Sequence, residues 1–522
     1  MIKKNLKILS LLKILSNTSR IILILVLSLC RFSDISAVSA NDYNIIDYGA
    51  KPDSKTLNQD FIQKAIDSAF INGGGRVVIP GGTFLTGSII LKSNVELHLE
   101  EGAVLLGSTH ISDYKKLNRW KALILADGQD NIKITGSGIV DGQGRKLALN
   151  SDSLYYAGKL KDEFYNKRRK RPSEAARAQI IELVRCTNVL ITGITLKNSS
   201  SWVETYSLCK NLIINKIKVE SDAYWNNDGL DVDDCKNVKI TDCQINSADD
   251  GICLKSSDAD SFNDSIYVSD CVVRSSASAI KFGTASAGGF KNIYISNIKV
   301  FDTFRSAIAL ESVDGGTLEN VEINNVFAVN TGNAIFIKLG HRNKDGKPGV
   351  LKNVKIKNVQ VQVPFGVPDK NYDIRGPELP FFHNTFPASI TGIPEKDVEN
   401  VFLENITVIY PGRGNNGLAD LPLNRLNDVP ENESEYPEFH MFGELPSWGF
   451  YVRHVDGITM KNICLIAKLP DYRPSIVMDD VKNLNLEKIQ IVENKRKPQI
   501  ILKNVSNINI DKYSSGLVKE MN

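Results

Sequence analysis

The chain has 522 residues, 42% of them hydrophobic and 24% charged, enough for several ordinary domains or for one elongated repeat domain. Its formal charge is +3, but residues 1–40 carry six basic side chains against one acid, and without that net +5 the chain stands at −2. Such a balance gives no ground for a nucleic-acid partner, and none is expected.

Residues 1–40 read as a cleaved export signal. Lys3, Lys4, Lys7, Lys13 and Arg20 make a basic start, and IILILVLSLC (21–30) is an apolar core too short to span a bilayer comfortably. AVSA (37–40) ends in the small residues that a signal peptidase reads, which places cleavage after Ala40. The remainder, 41–522, is expected to be one domain, periplasmic or extracellular, with no membrane attachment after signal removal. In FIQKAIDSAF (61–70) apolar residues at 61, 62, 65, 66, 69 and 70 predict an amphipathic helix able to cap the end of a stack. Short strands between Gly-rich turns follow in GGGRVVIPGGTF (73–84) and GSGIVDGQG (136–144). Residues 145–178 are expected to be an insertion loop. Its basic run KRRKRP (167–172) is either a solvated face or a grip on an anionic polymer.

From residue 186 the chain repeats. CTNVLITGITLKNS (186–199), CKNLIINKIKVES (209–221), CKNVKITDCQINS (235–247), FKNIYISNIKVFD (290–302) and LENVEINNVFAVN (318–330) share one frame. The anchors Asn188, Asn211, Asn237, Ser265, Asn292 and Asn320 are 23, 26, 28, 27 and 28 residues apart. Alternation at period two means strands with one buried face, and a repeat of this length holding several short strands means the coils of a parallel β-helix. The recurring asparagines suit a side-chain ladder. Two further excursions fall at about 364–390 and around NDVPENESEYPEFH (427–440). Seven cysteines remain after Cys30, an odd and scattered set without metal-type spacing, and Cys235, Cys243, Cys253 and Cys271 are expected to stack as buried thiols.

A second strand follows in NNDGLDVDD (226–234), ADDGICLKS (248–256), SASAIKFGT (276–284), FRSAIALES (304–312) and TGNAIFIKL (331–339). Leu230, Val232, Ile252, Leu254, Ile280 and Phe282 fall in the inward column. Coils stack roughly 4.8 Å apart, which puts Asp228 beside Asp250, with Asp249 adjacent. Each Asp-Gly could be a plain turn, and three carboxylates could hold a hard cation. Clustered acids also push one another's pKa apart, leaving one protonated and the others ionised, the division of labour a glycosidase needs.

NND (226–228) followed by DD (249–250) inside a parallel β-helix resembles glycoside hydrolase family 28, the polygalacturonases. The likeness extends over nearly all of 44–515, including DYGAKPDSKTLNQDFIQKAID, LKSNVELHLEEGA, GIVDGQG and LKNSSSW. The resemblance implies an all-β, single-stranded right-handed parallel β-helix of the pectin-lyase-like kind. It implies Asp249 as general acid, Asp228 and Asp250 as the pair that activates water, inversion at the anomeric carbon, and no cofactor or metal. Asn226 matches the family's Asn, while Asn227 replaces its Thr. Two elements differ: Ser278 stands where the family has a His, and ALE (309–311) where it has Arg-Ile-Lys. Recognition is expected to have moved to Lys255, Lys281, Lys338, His341 and Arg342, with Trp202 or Trp225 stacking on sugar. The expected activity is hydrolysis of α-linked galacturonic-acid-containing polysaccharide or oligosaccharide by a monomer. The alternatives are an exo-acting or rhamnogalacturonan-type hydrolase, a pectate-type lyase, and a non-catalytic carbohydrate-binding β-helix.

Overall fold

Each apolar–polar alternation folds as a strand, and each strand pairs in parallel with its counterpart one coil later. In the computed structural model, which describes residues 41–343, 346–369, 383–394, 396–493 and 499–521, a single sheet of 30 strands results. The expected export signal lies outside the described residues. Three chains of pairing run up the stack. Gln179–Val184 pairs with Glu204–Ser207, then Leu230–Asp233, Ile252–Ser256 and Ile280–Ser286. Thr187–Thr192 leads to Lys210–Asn215 and Lys236–Thr241, and Thr195–Lys197 to Lys218–Ser221 and Gln244–Ser247. Each coil therefore has three sides. Further along, the sides join into long bent strands such as Gly289–Ser312 and Thr317–Leu339.

Inward side chains fill the coils with one continuous core. Leu230, Val232, Ile252, Leu254, Ile280, Phe282, Ile308 and Leu310 are all buried in it, as the column predicted. The anchor positions turn corners in the left-handed backbone region: Asn188, Asn211, Asn237, Asn292 and Asn320 have φ of 57°, 55°, 56°, 55° and 57°. Asparagine tolerates that region better than most residues, and its amide also links the coils. Asn211 donates to Asn188 at 2.9 Å, Asn237 to Asn211 at 3.1 Å, and Asn320 to Asn292 at 3.2 Å. Ser265 breaks the ladder, so Asn292 donates instead to Asp264 at 2.8 Å.

The seven described cysteines are all free. Cys209 and Cys235 are in contact from coil to coil, the Cys209 amide donating to the Cys235 thiol at 3.3 Å. Cys253 departs from the expected thiol stack. It stands in the outward column of its strand, opposite Asp231 and Lys281, because the inward places on either side belong to Ile252 and Leu254.

The capping helix, α1, spans Gln59–Ile71 and buries Ile62, Ala65, Ile66 and Ala69 against the first strands. Phe70 remains exposed on its flank. The insertion is more ordered than a loop. It contains a second helix, α2 (Gly144–Tyr156), which buries Leu147, Ala148 and Ser151, and a short antiparallel pair of Tyr165–Asn166 with Arg171–Pro172. The acidic excursion belongs to a strap, residues 411–449, that lies across the outward face of the later coils. There the outward column turns apolar, and Ala309, Phe336, Tyr451 and Val477 pack under Leu426, Val429, Phe439 and Phe442. No helix among the described residues is long and apolar enough to cross a membrane.

Candidate active site

Asp228 and Asp250 each precede a glycine, and packing explains the pairing better than a turn does. A Cβ on Gly229 would stand 2.4 Å from Ile245 and 2.8 Å from the carbonyl of Gly251. One on Gly251 would stand 2.4 Å from Val273 and 2.7 Å from the carbonyl of Ala279. Neither glycine has a positive φ. Only glycine lets consecutive coils approach this closely, and that approach brings the aspartates into register. The Gly229 amide donates to the Asp250 carbonyl at 2.8 Å, and the Asp249 amide to the Asn227 carbonyl at 3.2 Å. Asp228 and Asp250 are buried, while Asp249 retains partial exposure.

Three cations hold this cluster. The Lys255 ammonium is 3.0 Å from Asp228 Oδ2, 3.1 Å from Asp231 Oδ1 and 3.0 Å from Cys253 Sγ, with the Trp202 ring 4.6 Å away. Asp228, Asp231 and Cys253 offer ligand atoms close enough together for a metal ion, but the Lys255 ammonium already supplies the positive charge among them. Lys281 Nζ stands 3.1 Å from Glu311 and 3.9 Å from Asp250. Arg305 pairs with Glu438 of the strap at 2.7 Å. The Ser278 amide donates to Asp250 Oδ1 at 3.1 Å.

These surroundings drive the two adjacent acids in opposite directions. Burial and then the charge of Asp250 push the Asp249 carboxyl up. Burial would also raise Asp250, but Lys281, Lys255, Arg305 and the Ser278 amide outweigh it and hold Asp250 below the usual carboxylate range. Burial raises Asp228 strongly against the pull of Lys255, and it lifts Asp231 to about 7. The two adjacent acids are thus driven apart, Asp249 toward its protonated form and Asp250 toward its ionised one.

The remaining predicted residues divide. Asn226, in left-handed backbone at φ 60°, accepts from Arg177 at 2.9 Å and Arg171 at 3.2 Å. Trp225 lies under the Arg171 guanidinium at 4.7 Å, and Trp202 meets Trp120 edge-on at 5.3 Å. Lys255 and Lys281 are not open sugar ligands as expected: both are buried as counter-ions of the acids. Lys338 is two coils beyond Lys281. It donates to the backbone carbonyls of Glu431 at 3.0 Å and Gly392 at 3.4 Å beneath the strap, so it does not reach the aspartates. His341 is also held elsewhere, its ring at 3.0 Å from the Gly346 carbonyl. Arg342 is clamped by Asp314 at 2.9 and 2.7 Å, with the Tyr436 ring 5.8 Å away.

Six residues were not singled out from the sequence, although Arg171 lies in the basic run KRRKRP, one reading of which is a grip on an anionic polymer. Arg171 and Arg177 come from the insertion, Tyr436 and Glu438 from the strap, and Arg305 and Glu311 from the coil beyond Lys281. Arg305 also carried a usable signal. It lies in the corner column of Asp249, one coil beyond Ala277, whose carbonyl accepts from the Arg305 amide at 2.9 Å.

A sequence model of the family described as glycosyl hydrolases family 28 matches residues 73–367. A protein named "Probable polygalacturonase" from Vitis vinifera is 31% identical over 244 residues, 43% of this chain and 46% of that protein. The exo-poly-alpha-D-galacturonosidase of Dickeya chrysanthemi is 28% identical over 251 residues, 40% of this chain and 41% of that protein. The chain thus spans under half the length of these curated relatives. The solved exopolygalacturonase of Thermotoga maritima is similar with TM-score 0.58 and 24% identity, over 72% of this chain and 88% of that one. The family 28 exopolygalacturonase of Yersinia enterocolitica gives TM-score 0.60 at 19% identity, over 91% and 79%. At such identities these two likenesses are of fold.

Proposed function

The chain belongs to family 28 of the glycosyl hydrolases, and on that premise we propose that it hydrolyses α-linked galacturonic-acid-containing pectic chains with inversion at the anomeric carbon. The observation that carries the proposal is the unequal setting of two adjacent acids: Asp250 is buried, accepts from the Ser278 amide at 3.1 Å and faces Lys281 at 3.9 Å, while Asp249 beside it is partly exposed and pushed up by burial and by the charge of Asp250. Asp249 gives its proton to the glycosidic oxygen as the bond to the anomeric carbon breaks, and the electron pair stays on that oxygen. A water attacks the anomeric carbon from the opposite face and passes its proton to Asp250. Asp228, tied to Lys255, orients the water. Both the family membership and the curated relatives, named as polygalacturonases, support galacturonan as the polymer.

In the same reading residues 1–40 direct export to the periplasm or beyond, and the enzyme works as a monomer on an external polymer. A second reading, action at chain ends, is favoured by the two structures that flank the aspartates. The insertion reaches Asn226 through Arg171 and Arg177, and the strap reaches Arg305 through Glu438.

Purified enzyme incubated with defined pectic oligomers tests these proposals together. New reducing ends without unsaturated sugar are expected, with release of single sugars if action is at chain ends. Unsaturated products would replace the hydrolase by a lyase, and no cleavage would favour a carbohydrate-binding role.

A further inference from the structure

The charges around the aspartates are distributed unequally. On the side of the later coils the two cations that face the aspartates are matched: Lys281 by Glu311 and Asp250, Arg305 by Glu438. On the side of the insertion, Arg171 and Arg177 make no ion pair among the described residues and share the neutral amide oxygen of Asn226. A free uronate carboxylate is therefore attracted to one side of the scissile position. On the other it meets cations already neutralised, with the carboxyls of Glu438 and Glu311 beside them, and like charges brought together in a recognition site are strongly disfavoured.

The matched side still offers donors. Arg305 Nε is buried and has no hydrogen-bond partner among the described residues, and the Lys281 ammonium, 3.1 Å from Glu311, carries three N–H groups. They suit an uncharged acceptor, a hydroxyl or an ester carbonyl. Next to them the wall becomes largely aromatic, with the exposed Arg413 stacked over Phe365 at 5.0 Å. Phe304 and Phe439, the chain neighbours of Arg305 and Glu438, line a hollow of about 600 Å³ together with Phe386 and Phe365. Gly332, also in its wall, is packed against the carbonyls of Phe304 and Arg305 one coil earlier. The hollow thus begins about two coil steps, or ~10 Å, from Asp249, which is the reach of an adjoining sugar.

We infer that the cleft is polarised: it binds a free galacturonate on the Arg171–Trp225 side and a methyl-esterified, uncharged galacturonate on the Glu438–Phe439 side. The inference rests on the hydrolase reading above and names the form of pectin that this enzyme prefers. Glu438 acts there as a selector, since it neutralises Arg305 and repels a second carboxylate.

The test compares galacturonate tetramers that are free, methyl-esterified at defined single positions, or fully esterified. For the wild-type enzyme, the best singly esterified tetramer is expected to exceed the free one in kcat/KM by at least about tenfold, and the fully esterified one to fall below it. Glu438→Gln is expected to narrow the gap by raising turnover of the free tetramer. A wild-type enzyme that cuts the free tetramer as well as any ester overturns the inference, whether or not the variant folds. A gap unchanged in a folded Glu438→Gln overturns the role given to the strap. Cleavage of none of the tetramers would contradict the hydrolase reading itself, and the inference with it.

Discussion

At the scale of the residue, the site depends on two neighbouring carboxyls with opposite environments. Asp249→Asn keeps the shape and removes the proton donor. It is expected to lower kcat by about 10² to 10⁴ while a pectic oligomer still binds, which kinetics together with calorimetric titration of the variant would check. Retained turnover would remove Asp249 from its role. In the wild type, activity is expected to fall on the alkaline side as Asp249, raised by burial and Asp250, loses its proton. On the acid side it is expected to hold to unusually low pH, because Lys281, Lys255 and Arg305 keep Asp250 ionised despite its burial. A pH profile of kcat/KM reads both limbs. The three aspartates were legible because each sits at a fixed offset within a repeat. The state of the lysines was not. An outward lysine on a strand reads as solvated, and only the tertiary cover shows that Lys255 and Lys281 are buried among acids.

At the scale of the element, the asparagine ladder and the strap make separate predictions. Asn320 combines a left-handed φ of 57° with amide bonds to Asn292 at 3.2 Å and from Asn353 at 3.1 Å. Asn320→Ala forces an unfavourable backbone and removes both bonds, for an expected loss of about 1 to 3 kcal/mol in chemical denaturation. Asn320→Gly relieves the backbone term and is expected to cost less; equal losses would mean that the left-handed turn contributes nothing. The strap is pinned by His454, whose ring is 3.2 Å from Glu431 on the strap and 2.6 Å from Asp480, with Arg453 at 2.8 Å from the same Glu431.

Burial would lower His454, but Glu431 and Asp480 outweigh it and raise it above its ordinary 6.5. Its contribution is complete below pH 6.5 and is lost as pH rises through the raised value. Glu431 would likewise be raised by burial, yet His454 and Arg453 hold it below 4.5, so its contribution is complete above pH 4.5 and lost as pH falls further. Hydrogen exchange within 423–442, corrected for its intrinsic pH dependence, is expected to show the strongest protection between these limits. Loosening toward pH 9 should disappear in His454→Gln. Protection that is flat across this range in the wild type would detach the strap from the His454 contact.

At the scale of the whole molecule, the solenoid was legible because each coil meets the next at a nearly constant sequence separation. The spacing of Asn188, Asn211 and Asn237 therefore carries the pairing of their strands directly. The same locality explains what stayed hidden. Glu438 meets Arg305, and Arg171 meets Asn226, across long separations without a period. In sequence the strap is an acidic excursion and the insertion a basic run. Only folding shows that they bring opposite charges to opposite sides of three aspartates. The most direct measurement follows hydrolysis of a pectic oligomer by proton NMR, recording the new reducing end before it mutarotates. Cleavage of an α-linkage by Asp249, Asp250 and water predicts that the β-anomer appears first and the α-anomer grows in later. An α-anomer present from the outset would contradict direct displacement by water.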